Sequence, residues 1–463
     1  MSHRRQMRTA WLLVISVAVS FAAADERAAH FGKQWVRSHP FTLMALTQRP
    51  EAVLDDKYRE AGLNTMLAWK PRDGLFEAAV RQGLPWHFNV NKRNERLTDE
   101  LKAQIDGLMT RFEGGAGFLV FDEPKLLEMA RAGEVAAWIK ATYPDVLVYS
   151  DAYPIAGGAK LCGGEWLASG LYDEPSVPYS YDDYLADFTR LIRPDILMFD
   201  IYPFPQPPEA DPEEYLAGKY FAAMSAIRKA ALKAGIPYWV FVQAYEKEGG
   251  GGRRLPSESD LRTQMFTSLA YGFTGMAYFT YDAAFMRGLL EQDFSPSRLY
   301  ATAQQVNAEV LNLGQALRFL TSTDVRYIVG KHDEGGELVD NPVPEGLGIY
   351  HERSRVAKEV TGIALSETGI KRNGLIGFFQ DDAGGSYFMP VNMCQGQDAS
   401  AADCTTTFTL SLAPSVTDLY RLSRETGQPE KVDLQDGTLT VTLPGGTGDL
   451  FKTGDGRFPG LEP

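Results

Sequence analysis

The chain has few cysteines, few histidines and no excess of positive charge. Of its 463 residues, 3 are cysteine and 6 are histidine, and the formal net charge is -14 at pH 7. No histidine stands in the H-E-x-x-H spacing of the common zinc-dependent hydrolases. The acidic balance argues against binding to the phosphate backbone of nucleic acids, which requires a basic surface. We therefore expect no nucleic-acid partner, whereas neutral ligands remain compatible with this charge.

Long apolar runs are also missing after the N-terminus. The first residues, MSHRRQMRTAWLLVISVAVSFAAAD, carry arginines, then an apolar core, then Ala22 and Ala24 at a small-residue cleavage position. This order is typical of a cleavable secretory signal over residues 1–24. The alternative is an uncleaved anchor, but the apolar core is shorter than the ~20 residues that a membrane-spanning helix needs. We expect a secreted or periplasmic protein with no membrane span after signal cleavage.

Two of the three cysteines enclose a short polar loop. Cys394 and Cys404 flank the sequence CQGQDASAADC, and Cys162 lies far from both. In an oxidising compartment the first two could close the loop as a disulfide, leaving Cys162 unpaired. Three free thiols are the alternative.

Apolar runs alternate with amphipathic stretches through the first two thirds of the chain. Eight such runs begin at Phe41, Asn64, Trp86, Gly117, Val146, Asp195, Tyr238 and Gly275. Most are nearly continuous in apolar residues, as are parallel strands that are covered on both faces. Eight strand–helix units in roughly 280 residues predict an α/β fold, a (β/α)8 TIM barrel, over residues 25–322. A doubly wound open sheet is the alternative, but it normally carries a glycine-rich phosphate-binding turn, and the sequence has none.

The composition changes after a long helical stretch, SPSRLYATAQQVNAEVLNLGQALRFL. From Thr323 onward the apolar runs are short and alternating, as in VRYIVG and TLTVTLPGG, with Gly, Asp and Asn between them. This pattern is typical of antiparallel strands. It predicts a small β-sandwich over residues 323–463.

Polar and aromatic residues stand at the predicted ends of the barrel strands, where TIM barrels carry their active sites. In strand order they are Trp69; His87, Asn89 and Asn91; Asp122 and Glu123; Asp151; Asp200 and Tyr202; Gln243, Tyr245 and Glu246; and Tyr281 and Asp282. Because the ends of parallel barrel strands meet at one rim, we expect many of these side chains to surround a single site.

This set suits the cleavage of a glycosidic bond. That reaction uses one carboxyl group to protonate the departing oxygen and a second to attack or to activate water. Amides bind sugar hydroxyls, and aromatic rings cover the C–H faces of sugars. No G-x-S-x-G elbow and no phosphate-binding loop points to another hydrolase chemistry. We predict a carbohydrate substrate and no cofactor, with a Mg²⁺ or Ca²⁺ ion on Asp122, Asp151, Asp200 and Asp282 as an open alternative.

An acid pair that closes strand four, followed by a trailing β-sandwich, resembles the clan A glycoside hydrolases and beta-galactosidase-like proteins. The segments LPSESDLRTQMFTSLAYGFTGMAYFTYD and LIGFFQDDAGGSYFMPVN resemble their seventh-helix region and their β domains. The resemblance implies that Glu123 is the acid/base, with Asp122 in place of the usual Asn. It also implies a nucleophile at the end of strand seven. Gln243 stands there, and an amide cannot attack.

The sequence therefore predicts a glycosidase with Glu123 as proton donor and Asp200 or Glu246 as the second carboxylate. The predicted substrate-binding residues are Asp122, Gln243, Tyr202, Asn89, Asn91, Trp69, Tyr281 and Asp151. Two alternatives remain. Gln243 favours a non-catalytic carbohydrate-binding protein, and a transglycosylase would use the same site. The sequence does not predict the sugar, the linkage or the oligomeric state.

Overall fold

The computed structural model describes residues 30–90, 96–155, 161, 179–206, 212–248, 252–351 and 358–461. The predicted signal segment, Asn91 and Cys162 lie outside these ranges. Within them, eight parallel strands form a closed barrel in sequence order. The strands are β1 Thr42–Thr47, β2 Thr65–Ala68, β3 Trp86–Asn89, β4 Gly115–Asp122, β5 Leu147–Ala152, β6 Ile196–Asp200, β7 Tyr238–Gln243 and β8 Gly275–Asp282. The predicted (β/α)8 barrel is confirmed.

The barrel strands are apolar on both faces because both faces are covered. In β1, for example, Leu43 packs in the core outside the barrel and Met44 in the core inside it. His87 belongs to the inner layer, where its Nδ1 lies 3.0 Å from the Tyr149 hydroxyl. Burial lowers the pKa of His87 to about 3, so the ring is neutral. His87 is therefore a packed core residue below the rim.

The helices surround the barrel. They are α1 (residues 30–38), α2 Asp73–Gln82, α3 Asp99–Arg111, α4 Leu126–Thr142, α5 Tyr181–Ile192, α6 Phe221–Ala234, α7 Glu258–Tyr271 and α8 Tyr300–Leu317. Short helical turns occupy Pro50–Val53, Lys57–Glu60, Pro212–Tyr215, Leu216–Tyr220 and Ala402–Cys404. A capping box formed by Ser257 and Asp260 opens α7. No helix among the described residues is long and apolar enough to cross a bilayer.

The C-terminal part is a sandwich of antiparallel strands, as predicted. A seven-stranded sheet has the order β12-β9-β14-β15-β20-β17-β18, a three-stranded sheet the order β13-β16-β19, and β10 pairs with β11. The strands are β9 Thr321–Ile328, β10 Lys331–Glu334, β11 Glu337–Asp340, β12 Gly348–Ile349, β13 Val360–Leu365, β14 Gly374–Gln380, β15 Ser386–Asn392, β16 Thr406–Leu412, β17 Leu419–Leu422, β18 Pro429–Val432, β19 Thr438–Leu443 and β20 Leu450–Thr453. Strand β9 begins at Thr321 and therefore crosses the boundary placed between residues 322 and 323.

The sandwich packs closely on α7. Every residue of this helix after Glu258 is buried, because the barrel covers one side and the sandwich the other. A Cβ atom on Gly377 of β14 would lie 2.1 Å from the Ala270 carbonyl oxygen, so only glycine permits this approach. Arg262 donates to both carboxylate oxygens of Glu309 on α8, at 2.8 and 2.9 Å. The sandwich thus fixes the helix that follows β7.

Cys394 and Cys404 are buried free thiols in the structure, so the predicted disulfide is not formed there. Their side chains are hydrogen-bonded to each other, and this bond lowers the pKa of Cys394 to about 7.

Candidate active site

A β-bulge at the end of β4 sets the direction of the acid pair. Leu119 pairs with Tyr149 of β5, but Asp122 pairs with Asp151, so β4 holds one extra residue. Such a bulge bends a strand and redirects its side chains. The Ser150 hydroxyl donates to the Phe121 carbonyl at 2.6 Å and fixes the distorted segment. The bulge explains why two adjacent acids both reach the rim.

Glu123 has a left-handed backbone, with φ of 57°. A residue with a side chain in this region costs about 1–3 kcal/mol unless its surroundings hold it there, and such strain clusters at functional sites. The Glu123 N–H donates to the Asp151 carbonyl at 3.0 Å. The Tyr184 hydroxyl of α5 donates to the Pro124 carbonyl at 2.8 Å and accepts from the Tyr153 N–H at 2.8 Å. The loops after β4 and β5 are therefore joined around Glu123.

Asp200 closes β6 and is more buried than Asp122 and Glu123. Only 8% of it is exposed, and its Oδ1 atom has no hydrogen-bond partner. Burial, followed by the nearby carboxylates of Glu123 and Asp122, raises the pKa of Asp200 well above its usual value, while a hydrogen bond to Tyr202 opposes the rise. This shift favours the protonated form of Asp200.

These residues share one cavity of about 300 Å³ at the C-terminal rim. Its described lining consists of Asp122, Glu123, Asp151 and Asp200, the aromatic residues Trp69, Tyr202, Phe241, Tyr245, Phe279 and Phe285, and Lys247 and Met286. Strands β2, β4, β5, β6, β7 and β8 all contribute, directly or through the loop that follows. The cavity combines carboxyl groups with an aromatic wall.

Three rings of the aromatic wall pack against one another. Tyr202 meets Tyr245 edge-on, with centroids 5.3 Å apart, and Tyr245 meets Phe279 edge-on at 5.1 Å. Burial raises the pKa of both tyrosines. Both hydroxyls are therefore neutral and able to donate. Phe285 projects at the mouth and is 65% exposed.

Seven residues singled out in the sequence meet in this cavity: Trp69, Asp122, Glu123, Asp151, Asp200, Tyr202 and Tyr245. Their placement is the expected one, and their roles remain predictions. Asn91 lies outside the described residues. Asn89 is buried at the end of β3 and is not among the described residues that line the cavity.

Gln243 has a different position from the one expected of a ligand contact. It is fully buried, its Oε1 accepts from the Phe204 N–H at 2.9 Å, and its Nε2 donates to the Arg254 carbonyl at 2.8 Å. Its own N–H donates to Gln264 of α7 at 2.7 Å. All polar groups of the side chain are used within the protein. Gln243 therefore joins the loop after β6 to the loop after β7.

Two further residues at the rim also point elsewhere. Glu246 pairs with Arg287 at 2.7 Å, at the surface and outside the described lining of the cavity. Tyr281 is fully buried in the core outside the barrel, with its ring 4.8 Å from that of Tyr58. Side chains alternate across a strand, so a position near a strand end does not by itself give the face.

Asp282 is also engaged, since it accepts from the Arg49 N–H at 2.9 Å and from the Arg49 guanidinium at 2.6 Å. No group of three or more acids, histidines or cysteines within the described ranges is arranged to hold a metal ion.

Five lining residues were missed by the sequence interpretation: Phe241, Lys247, Phe279, Phe285 and Met286. Phe241 and Phe279 precede the apparent strand ends, and the inward alternation of β7 and β8 was the available signal. The other three lie in loops, where no periodicity marks the direction of a side chain.

No protein-family model and no curated protein sequence matches the chain. Solved structures with some likeness include a GH51 α-L-arabinofuranosidase from Thermotoga petrophila RKU-1, with 8% identity over 90% of this chain and 96% of the other, and a TM-score of 0.42. A GH27 β-L-arabinopyranosidase from Geobacillus stearothermophilus has 10% identity over 93% and 99%, with a TM-score of 0.38. An endo-β-1,4-mannanase from Thermotoga petrophila has 11% identity over 78% and 97%, with a TM-score of 0.40. Likeness at this level assigns no activity to the chain.

Proposed function

We propose that the chain is a glycoside hydrolase that cleaves a glycosidic bond in an oligo- or polysaccharide. The observation that carries this proposal is the joint placement of Glu123 and Asp200, on different strands, in one rim cavity with an aromatic wall. Glycosidases need two carboxyl groups in different protonation states, and burial beside Glu123 and Asp122 raises the pKa of Asp200, which favours its neutral form.

The reaction balances with the groups present. One carboxyl group gives its proton to the glycosidic oxygen as the bond from that oxygen to the anomeric carbon breaks. In one route the second carboxylate bonds to the anomeric carbon and is then displaced by water, so the configuration of that carbon is inverted twice and is retained overall. In the other route the second carboxylate takes a proton from the water that attacks directly, and the configuration is inverted once. Retained or inverted configuration of the first-formed sugar, read by proton NMR, distinguishes these two routes.

The aromatic wall suits a sugar ring. Tyr202 and Tyr245 offer neutral hydroxyl donors, and the exposed Phe285 offers an apolar face at the mouth. Edge-on packing against Tyr202 and Phe279 holds Tyr245 in place. A substrate with both hydroxyls and C–H faces matches this lining.

The test is the release of reducing ends from a panel of plant, algal and bacterial polysaccharides, with aryl glycosides of common neutral sugars in parallel. We expect at least one substrate to be cleaved by the wild type, and Glu123→Gln to lower its turnover by at least about 100-fold. Glu291→Gln, a surface carboxyl-to-amide exchange, is the matched control and keeps wild-type turnover. Near wild-type turnover in Glu123→Gln contradicts the assignment of Glu123.

A non-catalytic carbohydrate-binding protein is the second candidate, and the structural use of Gln243 favours it because β7 then ends without a carboxyl group. Binding of oligosaccharides with no release of reducing ends over days would support this candidate. A transglycosylase would instead produce longer oligosaccharides.

We also propose that the mature chain is exported and begins near Asp25, on the strength of the N-terminal signal pattern. Mass spectrometry of the protein from its native host tests this proposal. A mature protein that still contains residues 1–24 contradicts it.

A further inference from the structure

We infer that Asp200 on β6, rather than Glu123, donates the proton to the departing glycosidic oxygen, and that Glu123 is the charged carboxylate of the pair. This inference rests on the proposed glycosidase function and assigns the two roles within it. It differs from the pattern implied by the sequence resemblance, in which strand four supplies the acid and strand seven the nucleophile.

The first argument is burial. Asp200 lines the cavity, is 8% exposed, and has a buried Oδ1 atom without a hydrogen-bond partner. A carboxylate without partners is strongly disfavoured away from water, whereas a protonated carboxyl group loses much less. Glu123 is only half-buried at the mouth, where water stabilises a charge.

The second argument is the set of groups that face Asp200. Asp122 and Glu123 approach from β4 and Asp151 from β5, and all line the same cavity. The remaining titratable groups around it are Tyr202 on its own loop, Tyr181 of α5, Tyr215, Tyr245 and, across the cavity, Lys247. The tyrosines are neutral because burial raises their pKa. Closely placed carboxyl groups cannot all ionise, and Asp200, which is more buried than Asp122 and Glu123, favours its proton over these two.

The third argument is what β7 does not supply. Gln243 is hydrogen-bonded to two backbone segments, and Glu246 is paired with Arg287 outside the described cavity lining. The partner of an acid on β4 must therefore come from another strand. Asp200 of β6 lies across β5 from the β4 acids and shares their cavity.

In the proposed step the Asp200 proton moves to the leaving oxygen, which departs as a hydroxyl group with the bonding electron pair. The new bond to the anomeric carbon comes from Glu123 or from a water whose proton Glu123 accepts. If Glu123 bonded to the anomeric carbon, water then displaces it and gives its proton to Asp200. If Glu123 took the proton of the attacking water, it releases that proton to solvent as solvent reprotonates Asp200, so no other reactant is needed.

Leaving-group dependence tests this assignment. A dinitrophenyl leaving group departs without protonation, whereas the oxygen of an unactivated oligosaccharide does not. With Asp200→Asn we expect kcat/KM to fall by at least about 100-fold on the oligosaccharide and by less than about tenfold on the dinitrophenyl glycoside. The kcat/KM of Glu123→Gln should fall strongly on both substrates, and that of Glu291→Gln should fall on neither.

A second measurement does not depend on turnover. Infrared difference spectra of the full chain at neutral pH should show the carbonyl band of a protonated carboxyl group that disappears in Asp200→Asn and persists in Glu291→Gln. Suppose that the wild type cleaves substrates. If only Glu123→Gln then shows the leaving-group selectivity, or if the Asp200→Asn spectrum is the same as that of the wild type, the assignment of the proton donor is wrong while the glycosidase function stands. If wild type cleaves no member of the panel, both proposals fail.

Discussion

Gln243 offers the sharpest test of how the cavity is held together. Its side chain accepts from the Phe204 N–H at 2.9 Å and donates to the Arg254 carbonyl at 2.8 Å, both inside the protein. Its Nε2 also donates to the Phe204 carbonyl at 3.3 Å. Gln243→Met keeps the length and approximate volume of the side chain but removes all three bonds. The variant therefore isolates the hydrogen bonds from any change in packing.

The expected loss follows from the groups left behind. The Phe204 N–H and the Arg254 carbonyl both lose their partner, and each buried unsatisfied group costs about 1–3 kcal/mol. The Phe204 carbonyl is not counted, because it still accepts from the Arg254 N–H at 3.2 Å. The free energy of unfolding should therefore fall by about 2–6 kcal/mol. An unfolding entropy of about 2.1 cal/mol/K per residue over the whole chain gives roughly 1 °C per kcal/mol, so a fall in Tm of at least about 2 °C corresponds to the lower limit.

Calorimetry or tryptophan fluorescence on heating measures this change. Gln428→Met is the matched control, because Gln428 is exposed and a surface exchange of this kind shifts stability by less than about 0.5 kcal/mol. The 201–206 loop carries Tyr202 into the cavity, so kcat/KM on any cleaved glycoside should fall as well. A Tm equal to that of the control would refute the structural role given to Gln243.

Three further outcomes are expected. Because folding raises the pKa of Asp200, the contribution of its protonated form to stability is complete below the ordinary pKa of 3.8 and is lost as the pH rises through the folded-state pKa. Asp200→Asn should therefore raise Tm at pH 7 relative to wild type, and this gain should shrink toward pH 4. A gain in Tm that does not change with pH would contradict the buried proton. Glu246→Gln breaks only a surface ion pair with Arg287, which contributes about 0–1 kcal/mol to stability, so activity should stay within about twofold of wild type. A loss of activity of about 100-fold would instead make Glu246 the second carboxylate. Phe285→Ala should raise KM for oligosaccharides without lowering Tm, because the ring is 65% exposed; an unchanged KM would remove it from the binding surface.

Much of the barrel was predictable from local pattern. All eight strands were found because strands covered on both faces are apolar at nearly every position. Ser257 and Asp260 marked the start of α7 because a capping box is a local interaction between residues three apart. The β-sandwich followed from short alternating runs with glycine and aspartate between them.

The candidate site was predictable only in part. Asp122, Glu123, Asp151 and Asp200 end strands that meet at one rim, and that topological rule brought them together correctly. Gln243 also lies at a strand end, but its side chain is hydrogen-bonded to the loops that follow β6 and β7. The burial of α7 on all sides was equally hidden, since it depends on a sandwich more than one hundred residues away in sequence.

The sequence by itself determined the strand–helix alternation, the trailing β domain and the acids at the rim, because each depends on the residues of one short segment. The tertiary structure alone decided which of those acids share a cavity and that the pKa of Asp200 is raised. Protonation is set by the loss of water and by charges on neighbouring strands, and both arise only when distant segments pack together.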